Sequence, residues 1–258
     1  MTNPHGDFIW YELLTTDADK AQSFYADVIG WTAADSGQEG MDYRILEANG
    51  DGVGGLMQLT QDMISGGGRP IWLGYIGVED VDDTVAAISG GGGTIQMPAM
   101  DIPNVGRIAM VADPEGNPFY VMRGASEGAS TAFSQSDVGH CAWNELSTRD
   151  QAGAISFYQQ HFGWEKGDAM PMGEVADYQF IVQNGMTIGA ISPYIAEGGK
   201  TGWTYYFQVP DIDAAIEKIG SGGGRVVNGP HQVPGGTWII IGVDPQGATF
   251  ALVGARKD

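Results

Sequence analysis

The sequence predicts an α+β protein built from four βαβββ modules, arranged as two tandem copies of one domain. Three observations carry that prediction. The phrase Trp10-Tyr11-Glu12-Leu13 returns as Trp143-Asn144-Glu145-Leu146, and the same offset of 133 positions carries Thr15, Asp17, Phe24, Tyr25, Gly30 and Trp31 onto Thr148, Asp150, Phe157, Tyr158, Gly163 and Trp164. Within each copy, short apolar runs rich in β-branched and aromatic residues alternate with helical spacings that end in glycine. Near the end of each copy stands Asp-Pro-x-Gly, at Asp113 to Gly116 and again at Asp244 to Gly247.

Taken in order, Phe8 to Leu14 reads as a strand. Alternation puts Trp10 and Glu12 on one face of it, and Trp143 and Glu145 on one face of its repeat. Asp17 to Ile29 reads as a helix, with Thr16 as N-cap, Ala21, Phe24, Tyr25 and Val28 at helical spacing, and Gly30 as the stop. Strands follow near Tyr43 to Leu46 and Val53 to Met57, matched by Tyr178 and by Ile188-Gly189 in the second copy. Trp72 to Val78 is the next strand, repeated at Trp203. Val81, Val85 and Ile88 mark a short helix, which Ile212, Ala215, Ile216 and Ile219 repeat more clearly. Glycine runs at 90–93 and 222–224 end these helices. Thr94 to Met97, Arg107 to Val111 and Phe119 to Met122 are strands, the last two joined by a type I turn with Pro114 second and Gly116 fourth. The copies span 6–124 and 139–254. The join, 125–138, is rich in Ser, Ala, Gly and Thr and reads as an exposed linker.

Composition narrows the function classes. With 12 Lys+Arg against 32 Asp+Glu, the net charge of -20 disfavours nucleic acid and anionic membranes, whose phosphates need clustered cations. No stretch is long and apolar enough to span a bilayer, and no secretory signal is visible. The lone Cys141 excludes an intrachain disulfide framework, fits a cytoplasmic location, and reads as a small buried apolar residue. The 41 glycines imply many tight turns. The runs Gly66 to Gly68 and Gly90 to Gly93 are not phosphate loops, because no Lys-Ser/Thr follows.

The order strand, helix closed by Phe-Tyr and Gly-Trp, strand, helix, glycine, strand, Asp-Pro-x-Gly, strand, seen twice, resembles the vicinal oxygen chelate superfamily. That group includes glyoxalase I, extradiol dioxygenases and bleomycin- and fosfomycin-resistance proteins. Met97 to Ile102 running on to Val105-Gly106-Arg107, then Asp113-Pro114, is similar to the tandem glyoxalase-like or "hydroxylase"-type proteins of the actinobacterial kind. The resemblance implies curled mixed sheets with a cavity on the concave side. It also implies that one chain completes what single-copy relatives reach by dimerising, so the assembly is a monomer or a homodimer.

Metal enzymes of that superfamily present His and Glu ligands from three strands, leaving open positions for substrate. In this sequence the corresponding positions fall on Trp10, near Leu73 and on Tyr120 in one copy, and on Trp143, near Thr204 and on Ala251 in the other. The expected triad is missing from both. His5 lies in the N-terminal tail, His140 points away from the face of Trp143, His161 ends a helix, and His231 sits in a Pro-flanked loop. No metal or other cofactor is therefore expected. A divalent metal at a composite site, His140 or His231 with Glu145, is the alternative.

What faces the cavity instead is a floor of rings with a carboxylate in each copy. Trp10, Tyr75, Tyr120, Trp143 and Tyr206 are the candidate ligand-binding residues, with Arg107 as an anion clamp beside a loop, Pro98 to Gly106, that could form a lid. Glu12 and Glu145 are candidate acid-base residues, since burial among rings raises a carboxyl pKa toward neutrality. The competing reading makes both carboxylates structural and both tryptophans packing residues between modules. Two functions stay open. One is a protein that binds or sequesters a small aromatic or hydrophobic molecule; the other is a lyase, isomerase or hydroxylase-type enzyme using Glu12 or Glu145.

Overall fold

The structure, a computed structural model, describes residues 3–38, 40–172, 177–193 and 201–256. The first module contains β1 (Phe8–Thr15), α1 (Ala18–Val28), β2 (Thr32–Asp35), β3 (Tyr43–Ala48) and β4 (Asp51–Gln58), followed by a short helix α2 (Gln61–Ser65). The second contains β5 (Ile71–Gly77), α3 (Val81–Gly90), β6 (Thr94–Ile102), β7 (Gly106–Ala112) and β8 (Pro118–Gly124). The third repeats the first as β9 (Cys141–Thr148), α4 (Gln151–Phe162), β10 (Glu165–Pro171), β11 (Asp177–Gln183) and β12 (Met186–Pro193). The fourth repeats the second as β13 (Gly202–Val209), α5 (Ile212–Ser221), β14 (Arg225–Gln232), β15 (Trp238–Val243) and β16 (Thr249–Gly254).

The strands form two open eight-stranded sheets, ordered β2-β3-β4-β1-β5-β8-β7-β6 and β10-β11-β12-β9-β13-β16-β15-β14. Both are mixed. β1 runs parallel to β4 and β5 to β8, while the hairpins β3–β4 and β7–β8 are antiparallel. The α+β class and the tandem pair of domains are as the sequence predicts.

Local chemistry explains most element ends. Asp17, Asp80, Asp150 and Asp211 each cap a helix by accepting backbone N–H groups of its first turn. Asp17, not Thr16, is therefore the cap of α1. Gly30 and Gly163 follow α1 and α4 at positive φ, +98° and +71°, where a side chain would be strained.

Three segments differ from the sequence reading. β2, with the sequence Thr-Ala-Ala-Asp, carries no strand periodicity of its own and exists because β3 pairs with it from Thr32↔Glu47 to Asp35↔Arg44. The expected lid loop from Pro98 is strand instead. β6 continues through it to Ile102, and the register shift between Met97 and Met100 leaves Pro98, which has no N–H, outside the ladder. His231 likewise lies on β14, opposite Ile239, rather than in a loop.

The compact units do not follow the sequence copies. One, here the first unit, gathers Met1–Ile9, Gly74–Ser130 and Trp143–Thr204; the second gathers Trp10–Leu73, Thr131–Ala142 and Tyr205–Asp258. Each takes one module from each copy. The motifs that mark the repeat turn out to hold these units together.

In the second unit the indole N–H of Trp72 donates to the Tyr25 hydroxyl at 2.9 Å, which donates to Asp244 Oδ2 at 3.1 Å. Asp244 Oδ1 accepts the N–H groups of Gln246, Gly247 and Ala248. In the first unit Trp203, Tyr158 and Asp113 repeat the chain at 3.1 and 3.2 Å. Both aspartates are buried. Burial pushes their pKa values above the ordinary carboxylate range, against the hydrogen bonds that favour the charged form. Asp-Pro-x-Gly is thus more than a turn: its first residue is a buried acceptor reached by a tyrosine from the other copy.

Candidate functional site

Alternation along β9 leaves Trp143, Glu145 and Ser147 half-buried, while Asn144, Leu146 and Thr148 are buried on the opposite face. The parallel register places Ala190 beside Glu145 and Ser192 beside Ser147. Onto this face β11 delivers Tyr178 and Phe180. The Trp143 indole N–H donates to the Tyr178 hydroxyl at 2.9 Å, and that hydroxyl donates to Glu145 Oε2 at 2.8 Å. Ser192 Oγ stands 3.3 Å from Glu145 Oε1 and 3.4 Å from the Leu146 carbonyl, so its single proton is divided between them. Phe180 meets Trp143 and Tyr178 edge-on, at 5.8 and 5.6 Å between ring centres. Burial, and then the charge of Glu145, raise the Tyr178 pKa well above its ordinary value. Tyr178 therefore keeps its proton and acts as a donor.

The first copy builds a related face in the second unit. Trp10 donates its indole N–H to the Tyr43 hydroxyl at 2.9 Å. Glu12 registers with Gly55 and Leu14 with Met57. A β-carbon on Gly55 would collide with the Tyr43 hydroxyl oxygen, so glycine is what admits the phenol over this strand. Glu12 is only 3 % exposed.

The remaining predicted residues separate. Tyr75 and Tyr120 pair across β5 and β8 and stack with centroids 4.3 Å apart. Tyr206 is buried opposite Ala251. Arg107 forks onto Asp82 at 2.7 and 2.8 Å and pairs with Asp101 at 3.1 Å, so its charge is matched by two carboxylates of this chain. Tyr43, Tyr178, Phe180, Ser147 and Ser192 are not singled out by the sequence reading. The internal repeat Tyr43/Tyr178 is the signal that points to the first two. A solvent-open groove of about 360 Å³ on the second unit, lined by Asp19, Lys20, Ser23, Phe24, Asp27, Gly222 and Pro245, contains none of these residues and no phenol.

The donor set does not fit the superfamily's metal. Where the resemblance puts the ligands stand an indole at Trp10 and Trp143, apolar carbon at or near Leu73 and at Ala251, a hydroxyl at or near Thr204, and at Tyr120 a phenol stacked on its neighbour. Among the described residues, no three His, Cys, Asp or Glu are grouped to hold an ion. Three of the four histidines are engaged elsewhere. His5 accepts the Glu79 N–H at Nδ1 and meets the His161 carbonyl at 2.9 Å through Nε2, which ties the N-terminal segment into the first unit. His140 is buried with Nδ1 2.7 Å from the Thr131 carbonyl, and His231 pairs with Asn228 at 2.7 Å.

Known proteins match this chain over nearly all its length. The Glyoxalase/Bleomycin resistance protein/Dioxygenase superfamily matches residues 8–121 and 137–252. "Putative glyoxylase CFP32" of Mycobacterium tuberculosis (strain CDC 1551 / Oshkosh) is 30% identical over 246 residues, covering 95% of this chain and 93% of the relative. "Anthracycline biosynthesis protein DauV" of Streptomyces sp. (strain C5) is 30% identical over 269 residues, covering 96% and 93%. Among solved structures, the Mn(II)-bound glyoxalase from Novosphingobium aromaticivorans superimposes with a TM-score of 0.66 at 16% identity, covering 100% of this chain and 84% of the other. The repeat, the two mixed sheets and these matches agree: the chain belongs to the glyoxalase/bleomycin resistance protein/dioxygenase superfamily, as a tandem two-domain member.

Proposed function

We propose that the chain binds a small, largely aromatic or hydrophobic organic molecule, and that it does so without the metal triad of its superfamily. The observation that carries this reading is the chain Trp143–Tyr178–Glu145. It places ring surface for stacking beside a carboxylate whose orientation is fixed by a phenol, the combination that selects a mostly apolar ligand with one or two polar groups. The relatives named for anthracycline biosynthesis support a polycyclic aromatic as the ligand class. The chemistry of the donor set supports the absence of a metal triad.

A second reading makes the chain a lyase, isomerase or hydroxylase-type enzyme with Glu145 or Glu12 as acid-base. The Tyr178 hydroxyl held 2.8 Å from Glu145 favours that role for Glu145, since the phenol holds the carboxylate in one orientation. Titration of the purified protein with an anthracycline, followed by tryptophan quenching, tests binding. Glu145→Gln separates the readings: turnover lost with binding kept favours the enzyme, and binding weakened with no turnover in either protein favours the binder. Metal analysis of protein purified without chelator completes the test, and stoichiometric Fe, Mn, Ni or Zn would sink the metal-free reading.

A further inference from the structure

The two copies share the Trp-x-Glu phrase, but the surfaces around it differ in a consistent direction. Beside Glu12 the next register pair is Leu14 and Met57; beside Glu145 it is Ser147 and Ser192. Two apolar side chains in one copy are thus two hydroxyls in the other, at matching positions of matching strands. The carboxylates follow suit, with Glu12 3 % exposed and Glu145 half-buried. In the second copy one carboxylate oxygen accepts Tyr178 and the other lies beside Ser192.

We infer that the copies are not equivalent sites and that the second is specialised to read a hydroxyl on the ligand. The inference rests on the binding function proposed above. Its chemical logic is complementarity of donors and acceptors. A carboxylate only accepts, whereas a serine hydroxyl both donates and accepts. The group that satisfies both together is one that gives a hydrogen bond to Glu145 and takes one from Ser147, which is what an alcohol or phenol does. The Leu14–Met57 surface of the first copy offers neither function and suits plain hydrocarbon. Half-buried Ser147 is accordingly the serine that meets the ligand, while buried Ser192, with Tyr178, positions the carboxylate beside it.

The test compares two ligands of one skeleton, 2,6-dihydroxyanthraquinone, whose hydroxyls are too far from the quinone carbonyls to bond them, and anthraquinone, by calorimetric titration of the full chain. The wild-type protein is expected to prefer the dihydroxy compound at least about tenfold, the equivalent of one net hydrogen bond. Ser147→Leu/Ser192→Met, which installs the first copy's residues, should bring the two ligands within about threefold. Glu145→Gln, which keeps the side chain's shape, should reduce the preference even if the double variant folds poorly. If the wild-type protein binds both ligands equally, or if the double variant and Glu145→Gln both keep the full preference, the inference is overturned while the binding function stands. If it binds neither, the binding function falls and takes the inference with it.

Discussion

Removing a single hydroxyl, by Tyr25→Phe, should destabilise the protein more than the equivalent change in the other unit, Tyr158→Phe. In the second unit the lost hydroxyl strands two buried groups. The Trp72 indole N–H loses its acceptor, and Asp244 Oδ2 loses the hydroxyl that reaches it. At about 1–3 kcal/mol for each buried group left unsatisfied, the expected cost is about 2–6 kcal/mol. In the first unit Asp113 Oδ2 also accepts the Asn117 side-chain amide at 2.8 Å, and Trp203 is half-buried within reach of water, so the expected cost is about 1–2 kcal/mol. The difference traces to one position, because Ala248 stands where the first copy has Asn117. Adding Ala248→Asn to Tyr25→Phe should therefore return part of the loss. Urea unfolding at neutral pH, read as midpoint and slope for each variant, measures these values. Equal costs for the two tyrosines, or a Tyr25→Phe cost below about 1 kcal/mol, would refute the reasoning that buried partners rather than ring packing set the effect.

The other expectations are briefer. His161 is buried with Nε2 unpartnered among the described residues, and burial pushes its pKa below the ordinary value of about 6.5. The unfolded chain then binds the proton first, so this residue's contribution to stability is present above about pH 6.5 and is lost as pH falls through the lower native value. His161→Val, which installs the first copy's Val28, should flatten that part of the pH–stability profile, and parallel profiles for the two proteins would contradict the assignment. Gly55→Ala drives a methyl into the Tyr43 hydroxyl and should cost about 1–3 kcal/mol by thermal melting, whereas Ala190→Gly at the matching site should not disturb the Trp143–Tyr178 bond. Glu145→Gln should weaken binding of an aromatic ligand more than Glu12→Gln does, as titration will show, because Glu145 is the more accessible carboxylate.

The sequence by itself determined the module plan, because period and repetition are local properties that survive without coordinates. The Trp-x-Glu phrase, the helices stopped at glycine, and the hairpin at Asp113-Pro114 could all be placed from spacing alone.

Only the tertiary structure decided which residues meet. Register set Gly55 beside Glu12 and Ser192 beside Ser147, and pairing with β7 turned the expected lid at Pro98 into strand. Long-range hydrogen bonds joined Tyr25 to Asp244 across 219 positions, converting two repeat markers into a buried brace. The physical reason is the same in each case. A side chain's neighbours along the chain fix its face and its conformation, but its hydrogen-bond partner is fixed by strand order and close packing, which no local spacing encodes.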